Sequence, residues 1–168
     1  MGSVQIMAKD KYLHIYVSDH LAASVAGVEL ARRCANSNKD NDIGRFLRTT
    51  LIPAIEEDQE TLREIVRRVG ASESRVKDAM FWVGEKVGRL KFNGELTTYS
   101  PLSRVIELEG LTSGVAGKLS LWQCLREARD PRLEPVDLTA LISRAEEQLK
   151  ALEIQRRKAA ALAFDSDR

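Results

Sequence analysis

Apolar residues recur along this chain at steps of three and four, the spacing that places side chains on one face of an α-helix. Four long segments and one shorter segment carry such a stripe. The pattern predicts helices over about 10–35, 42–69, 72–90, 100–128 and 137–162. Amphipathic helices of this length bury their stripes by packing against each other. We therefore expect a single all-α domain over residues 1–168.

Polar and helix-breaking residues predict where these helices end. Asp10, Ser100 and Asp137 stand where N-caps are expected, and Gly70 stands at the C-terminal stop of the second helix. Pro53 falls inside the second stripe. A proline in a helix interior removes a hydrogen bond and costs about 3 kcal/mol. The second helix is therefore expected either to bend near this proline or to restart with Pro53 in its first turn.

The chain also repeats itself. The first helix matches the third long helix at a constant offset, and the second matches the fourth at an offset one residue shorter. In the first pair, Leu21, Val25, Ala26, Gly27 and Cys34 recur as Leu111, Val115, Ala116, Gly117 and Cys124. In the second pair, Glu57, Gln59, Glu64, Ile65, Arg67 and Arg68 recur as Glu146, Gln148, Glu153, Ile154, Arg156 and Arg157. Two nearly equal offsets indicate a duplicated helical hairpin with an approximate two-fold axis.

Glycines inside the first and third long helices need a reason of their own. Gly27, Gly110, Gly114 and Gly117 each cost roughly 1 kcal/mol relative to alanine within a helix. Residues of this kind usually let a neighbouring backbone approach. We therefore predict close packing between the first and third long helices at these glycines.

Composition and charge restrict the classes of partner. The 26 basic and 25 acidic residues nearly cancel, so we expect no nucleic-acid partner. No apolar run approaches the roughly 20 residues that a membrane span requires, and no signal-peptide pattern opens the chain. The expected location is therefore cytoplasmic. Two cysteines without a CxxC pair predict neither a zinc site nor a disulfide framework.

Four features together resemble the ferritin-like superfamily. They are the duplicated hairpin, the long connection between its halves, the small residues on the first and third long helices, and the acids on the second and fourth. The resemblance implies an antiparallel four-helix bundle with the shorter helix in the connection between the hairpins. In that superfamily two helices each supply a glutamate and two each supply an ExxH step, which together hold two iron or manganese ions.

The chain departs from that ligand pattern. It contains no ExxH step, and both histidines, His14 and His20, lie on the first helix. The resemblance transfers a candidate metal site onto His20, Glu57, Glu109 and Glu146, with Asp58 or Glu147 contributing if the register shifts by one residue. Carboxylates and imidazole suit iron and manganese. This set would supply fewer ligands than the superfamily uses.

Asp58 is the acid that a solvated helix face explains least well, because it lies on the apolar stripe between Ile55 and Leu62. A buried carboxylate has to be hydrogen-bonded, paired or protonated. His20 is the partner that the sequence suggests. We favour a satisfied polar pair in the core over a catalytic pair.

The sequence offers no phosphate-binding loop, no GxSxG and no HExxH, so it supports none of the common motif-marked enzymes and identifies no catalytic residue. The preferred interpretation is a non-enzymatic structural or interaction module without a cofactor. We expect a homodimer or a complex with another protein, with Phe81 or Trp82 as an exposed contact. The alternative is a metal-binding oxidase or storage protein, and a third hypothesis is a small-molecule pocket in the core.

Overall fold

In the part of the chain that its structure, a computed structural model, describes, the protein is helical apart from turns and short loops. That part comprises residues 2–72, 76–77, 81, 85 and 99–165, with side chains from residue 10 onward. The helices are α1 Gly2–Ser37, α2 Asp42–Phe46, α3 Ile52–Val69, α4 Pro101–Ala128 and α5 Leu138–Ala163. No strand occurs in these residues, so the all-α prediction is confirmed. None of the described helices is long and apolar enough to cross a membrane.

Three of the four predicted end signals act as expected. Ser100 and Ser103 form a capping box, in which each hydroxyl accepts a hydrogen bond from the other residue's backbone N–H, at 3.1 and 3.2 Å. The Asp137 carboxylate accepts from the Ala140 N–H at 2.9 Å. Gly70 ends α3 in the left-handed region with φ +79°. These caps bond backbone groups that a helix end leaves without intrahelical partners.

The cap predicted at Asp10 is wrong. Helix α1 begins at Gly2, and Asp10 lies within it. Its carboxylate instead accepts a hydrogen bond from the Arg132 guanidinium at 2.7 Å, across the molecule. The hydrogen bond to Arg132, and not helix capping, therefore accounts for the acidic residue at position 10.

The second predicted helix is divided before Pro53, as the restart interpretation requires. Helix α2 leads into a π-helical turn, Leu47–Leu51, and α3 then begins at Ile52 with Pro53 in its first turn. Both Leu47 and Leu51 remain buried. The wider turn therefore preserves the apolar stripe while placing proline where its missing N–H costs little.

Contacts along the helices give their directions. His14 and Ser24 of α1 bond to Val69 and Gln59 of α3, so these two helices are antiparallel. Helices α1 and α4 are antiparallel as well, because Arg33 bonds to Glu107 while Leu30, farther back on α1, lies beside Gly110.

Helices α4 and α5 form the second antiparallel pair. Glu109 lies 3.8 Å from Arg156, and Lys118 bonds to Gln148. It follows that α3 and α4 run in the same direction. Val69 and Tyr99 therefore lie at opposite ends of the molecule.

The predicted short helix over about 72–90 falls largely outside the described residues. Residues 76, 77, 81 and 85 are helical. Val76 packs against the core, whereas the Phe81 ring is 78% exposed, in line with the amphipathic pattern. Trp82 lies outside the described residues.

Close approach of α1 and α4 occurs at one of the four predicted glycines. A Cβ atom at Gly110 would lie 3.1 Å from Leu30 Cδ2. At Gly27, Gly114 and Gly117 a Cβ would meet no described atom within 4 Å, so the prediction is wrong at these three positions. Gly114 is exposed and the other two are half-exposed.

Candidate functional site

The most unusual feature of the core is a buried carboxylate, Asp58, which is 2% exposed. The apolar stripe of α3 directs it inward between the other helices. Lys118 Nζ of α4 donates to its Oδ2, and Gln148 Nε2 of α5 donates to the same oxygen at 3.1 Å. Arg144 Nη2 of α5 lies 2.5 Å from Oδ1. We name these four residues the Asp58 cluster.

Lys118 lies between two acceptors in this cluster. Its ammonium donates to the Asp58 carboxylate and to the Gln148 amide oxygen, and its side chain is 15% exposed. Burial lowers the pKa of Lys118, and the negative charge of Asp58 opposes that shift. The Asp58 carboxylate therefore offsets part of the free-energy cost of removing the Lys118 ammonium from water.

Arg144 links the cluster to the surface. Its Nη1 atom donates to the exposed Glu57 at 2.6 Å, while Nη2 contacts Asp58. Arg144 and Gln148 are one turn apart on α5, which brings both to the same face. The two carboxylates, Glu57 at the surface and Asp58 in the core, are thus balanced in charge by two cations, Arg144 and Lys118.

This arrangement restricts the chemistry open to Asp58. Oδ2 accepts hydrogen bonds from Lys118 and Gln148, while Oδ1 lies in ion-pair contact with Arg144 and accepts no hydrogen bond from the described residues. A divalent cation at this position would displace these donors and would meet two positive charges at close range.

The structure scatters the predicted metal ligands. Glu57 and Asp58 share Arg144 but differ in environment, since the Glu57 side chain is 68% exposed and Asp58 is buried. Glu109 is exposed beside Arg156, and Glu146 is exposed on α5. The described residues hold no group of three or more His, Cys, Asp or Glu side chains suited to a metal ion. The residues in this core do not fit a di-metal centre.

His20 does not pair with Asp58, so that prediction is wrong. Its ring packs edge-on against Tyr16 with the ring centroids 4.6 Å apart. Burial lowers the pKa of His20, although the charge of Asp19 opposes the shift. Asp58 instead contacts Lys118 of α4 and Arg144 and Gln148 of α5.

Sequence reasoning missed Lys118, Arg144 and Gln148. One signal was available for Lys118, which is the sole charged residue between Glu109 and Arg126. A lone charge in an otherwise uncharged half-helix indicates a specific partner. No comparable signal exists for Arg144, because α5 carries many charges.

A second buried polar group joins the end of α1 to the start of α4. The Asn38 side chain is 1% exposed and donates to the Cys34 carbonyl at 2.8 Å and to the Tyr99 hydroxyl at 2.6 Å. Arg104 Nε donates to its Oδ1 at 2.5 Å. The sequence indicated only a helix terminator here, whereas Asn38 fixes the point where the long connection enters α4.

Comparison with known proteins gives no match for this chain among models of protein families, curated proteins or solved structures.

Proposed function

We propose that this chain is a ferritin-like four-helix bundle in which the Asp58 cluster stands where related folds hold two metal ions. In this proposal the protein is a non-enzymatic structural or interaction module. The helix directions support it. Two antiparallel hairpins, α1 with α3 and α4 with α5, whose connection starts and finishes at opposite ends of the molecule, are typical of the ferritin-like arrangement.

The observation that carries the proposal is the pairing of Asp58 with two cations. Ferritin-like metal sites gather several carboxylates around positively charged ions. Here one core carboxylate is neutralised by Lys118 and Arg144, which belong to the chain itself. The side chains thus supply the positive charge that metal ions supply in related folds.

Such a cluster has a structural role that requires no substrate. Asp58 lies on α3, Lys118 on α4 and Arg144 on α5, so this cluster joins the two hairpins. Buried ionic groups fix the register of packed helices in some proteins. We propose the same role here, within a cytoplasmic homodimer that has no nucleic-acid partner.

The test is elemental analysis of the purified, tag-free protein after growth with added iron, manganese or zinc. We expect less than stoichiometric metal in every condition, and the same background in an Asp58→Asn variant. One or two ions per chain in the unchanged protein, lost on Asp58→Asn, would instead support a metal-binding oxidase or storage protein.

Thermal unfolding with added metal gives a second measurement. A ligand that binds only the folded state raises its stability in proportion to the logarithm of ligand concentration. We expect no concentration-dependent rise in Tm with Mn²⁺ or Fe²⁺. A rise that Asp58→Asn abolishes would contradict the proposal.

A further inference from the structure

Several buried polar atoms have no hydrogen-bond partner in the part of the chain that the structure describes. Four of them are Ser18 Oγ, Asp58 Oδ1, Trp122 Nε1 and Arg144 Nε. The side chains of Ser18, Asp58 and Trp122 belong to residues that are at most 2% exposed. Buried polar atoms are nearly always hydrogen-bonded, either to protein or to ordered water. Each of these four atoms therefore requires a partner.

Two of the four atoms lie close together. Arg144 Nη2 is 2.5 Å from Asp58 Oδ1, although the geometry of this ion pair gives Oδ1 no hydrogen bond. Arg144 Nε belongs to the same planar guanidinium as Nη2, so the Nε–H donor and the Oδ1 acceptor are near neighbours. One small ligand that both accepts and donates hydrogen bonds therefore satisfies both atoms.

Trp122 lies at the same level of the molecule as Arg144. Lys118 of α4 donates to Gln148 of α5, which fixes the register of these two helices. Trp122 is one turn after Lys118, and Arg144 is one turn before Gln148. Because α4 and α5 are antiparallel, both steps lead in the same direction along the bundle. The third atom therefore lies across the α4–α5 contact from Arg144.

Ser18 reaches this level from α1. Burial, and then the neighbouring Cys124, raise the pKa of Tyr16 to about 12, so these two side chains lie close together. Ser18 follows Tyr16 by two residues, and Trp122 precedes Cys124 by two residues. Since α1 and α4 are antiparallel, Ser18 and Trp122 are at matching positions on adjacent helices, and both are buried.

The chemistry of the four atoms matches water. Arg144 Nε–H and Trp122 Nε1–H only donate hydrogen bonds, the Asp58 carboxylate only accepts them, and the Ser18 hydroxyl does both. A metal cation would face the two N–H donors, and an anion would face the carboxylate. Water accepts from the two donors and donates to the two oxygens, and buried waters typically make about three hydrogen bonds.

We infer that ordered water is bound in the core beside the Asp58 cluster, between Ser18 of α1, Trp122 of α4 and the contact of Asp58 with Arg144. This site goes beyond the proposed structural role, because it joins α1 to the three helices that the cluster already connects. The Arg144 guanidinium extends to Glu57, whose side chain is 68% exposed. Arg144 therefore marks the route by which water reaches the core from the surface.

The direct test is a crystal structure of the unchanged protein at a resolution that shows ordered water. We expect at least one water oxygen within about 3.2 Å of two or more of the four atoms. A dry core, or protein groups bonded to these atoms in place of water, overturns the inference and leaves the proposed function in place. A metal ion at this position overturns both.

Nuclear magnetic resonance tests the same site in solution. The indole N–H of Trp122, assigned by its loss in Trp122→Phe, should show a cross-peak to water. Ser18→Val replaces the hydroxyl with a methyl group and should abolish this cross-peak. Ser120→Val, the same change at an exposed position of α4, should keep it.

Circular dichroism shows whether the valine variants fold. If Ser18→Val does not fold, the crystal structure and the cross-peak of the unchanged protein decide. The inference is overturned if the unchanged protein shows no cross-peak between Trp122 and water, or if the cross-peak persists in folded Ser18→Val.

Discussion

At the scale of single residues, the energetics of Asp58 depend on its partners. Removing one member of a buried ion pair is much more costly than the net value of the pair, because it leaves a desolvated charge. Asp58 has two cationic partners, and Arg144 also reaches Glu57 at the surface. Lys118 relies on Asp58 and the neutral Gln148. Lys118 is therefore the residue that loses most when Asp58 is changed.

We predict that Asp58→Asn lowers the free energy of unfolding by about 3 kcal/mol, because the Lys118 ammonium loses its counter-charge in a largely buried position. Glu57→Gln, next in sequence but exposed, should cost less than about 1 kcal/mol. Urea denaturation followed by circular dichroism measures both. Equal decreases in the unfolding free energy of the two variants would show that burial does not determine how much these ion pairs contribute to stability.

The two cysteines should differ in reactivity. Cys34 is fully buried and its pKa is raised to about 12, mainly by burial and then by Glu107, whereas Cys124 is exposed. We predict that a thiol reagent at pH 8 modifies one cysteine in the folded protein and two in denaturant. In Cys124→Ser the folded protein should show no rapid reaction. Rapid modification of Cys34 would contradict its burial.

The raised pKa of Cys34 also has a consequence for stability. The unfolded chain ionises this thiol near its ordinary value of 9.0, while the folded chain holds the proton up to about pH 12. The contribution is therefore complete below pH 9 and is lost as pH rises. Unfolding free energy should fall less steeply above pH 9 in Cys34→Ala, by at most about 1.4 kcal/mol per pH unit.

At the scale of elements, the turn between α1 and α2 depends on a glycine. A Cβ at Gly44 would lie 1.9 Å from the Asn38 carbonyl oxygen and 2.5 Å from its carbon, so the backbones would have to separate. Gly70 differs, since its constraint is a left-handed φ of +79° with open space around it. One position is limited by space and the other by backbone conformation.

We expect Gly70→Ala to cost about 1 kcal/mol, the usual penalty for a side chain in the left-handed region. Gly44→Ala should cost more, about 3 kcal/mol, because buried backbone must move. Thermal and urea unfolding of the two variants give the comparison. A smaller loss at Gly44 than at Gly70 would mean that α2 is free to shift.

At the scale of the whole molecule, polar contacts join elements that the apolar core alone would leave free to slide. The Asp58 cluster joins α3, α4 and α5 near mid-length. Asn38 joins the end of α1 to Tyr99 and Arg104 at one end of the molecule. Arg132 bonds to Asp10 and to the Val69 carbonyl at the other end. Each level of the structure therefore has a directional contact as well as apolar packing.

We predict that Asn38→Ala lowers the unfolding free energy by about 2 kcal/mol, because the hydrogen bonds of this buried amide to Tyr99 and Arg104 are both lost. Asn36→Ala, at an exposed position two residues earlier, should change the unfolding free energy by less than about 0.5 kcal/mol. Urea denaturation tests this pair, and hydrogen exchange at the start of α4 should rise in Asn38→Ala only. Unchanged exchange there would argue against the role of Asn38.

Periodicity and capping are local properties of the chain, so the helices and most of their ends could be predicted from the residues alone. The apolar stripes predicted the helical class, and Gly70, Ser100 and Asp137 predicted three helix ends. The restart before Pro53 also followed from local sterics. Asp58 could be recognised as a core acid from its place on an apolar stripe.

The partners of Asp58 and the surroundings of the glycines depend on how the helices pack in the tertiary structure. Lys118 lies 60 residues and Gln148 lies 90 residues away along the chain, so their approach depends on how whole helices pack. Gly27, Gly114 and Gly117 are the same residue type as Gly110. Of these four, the rotation of the helices about their axes brings only Gly110 close to the side chain of Leu30. Side-chain type and spacing are local, whereas partners depend on the relative rotation and register of helices.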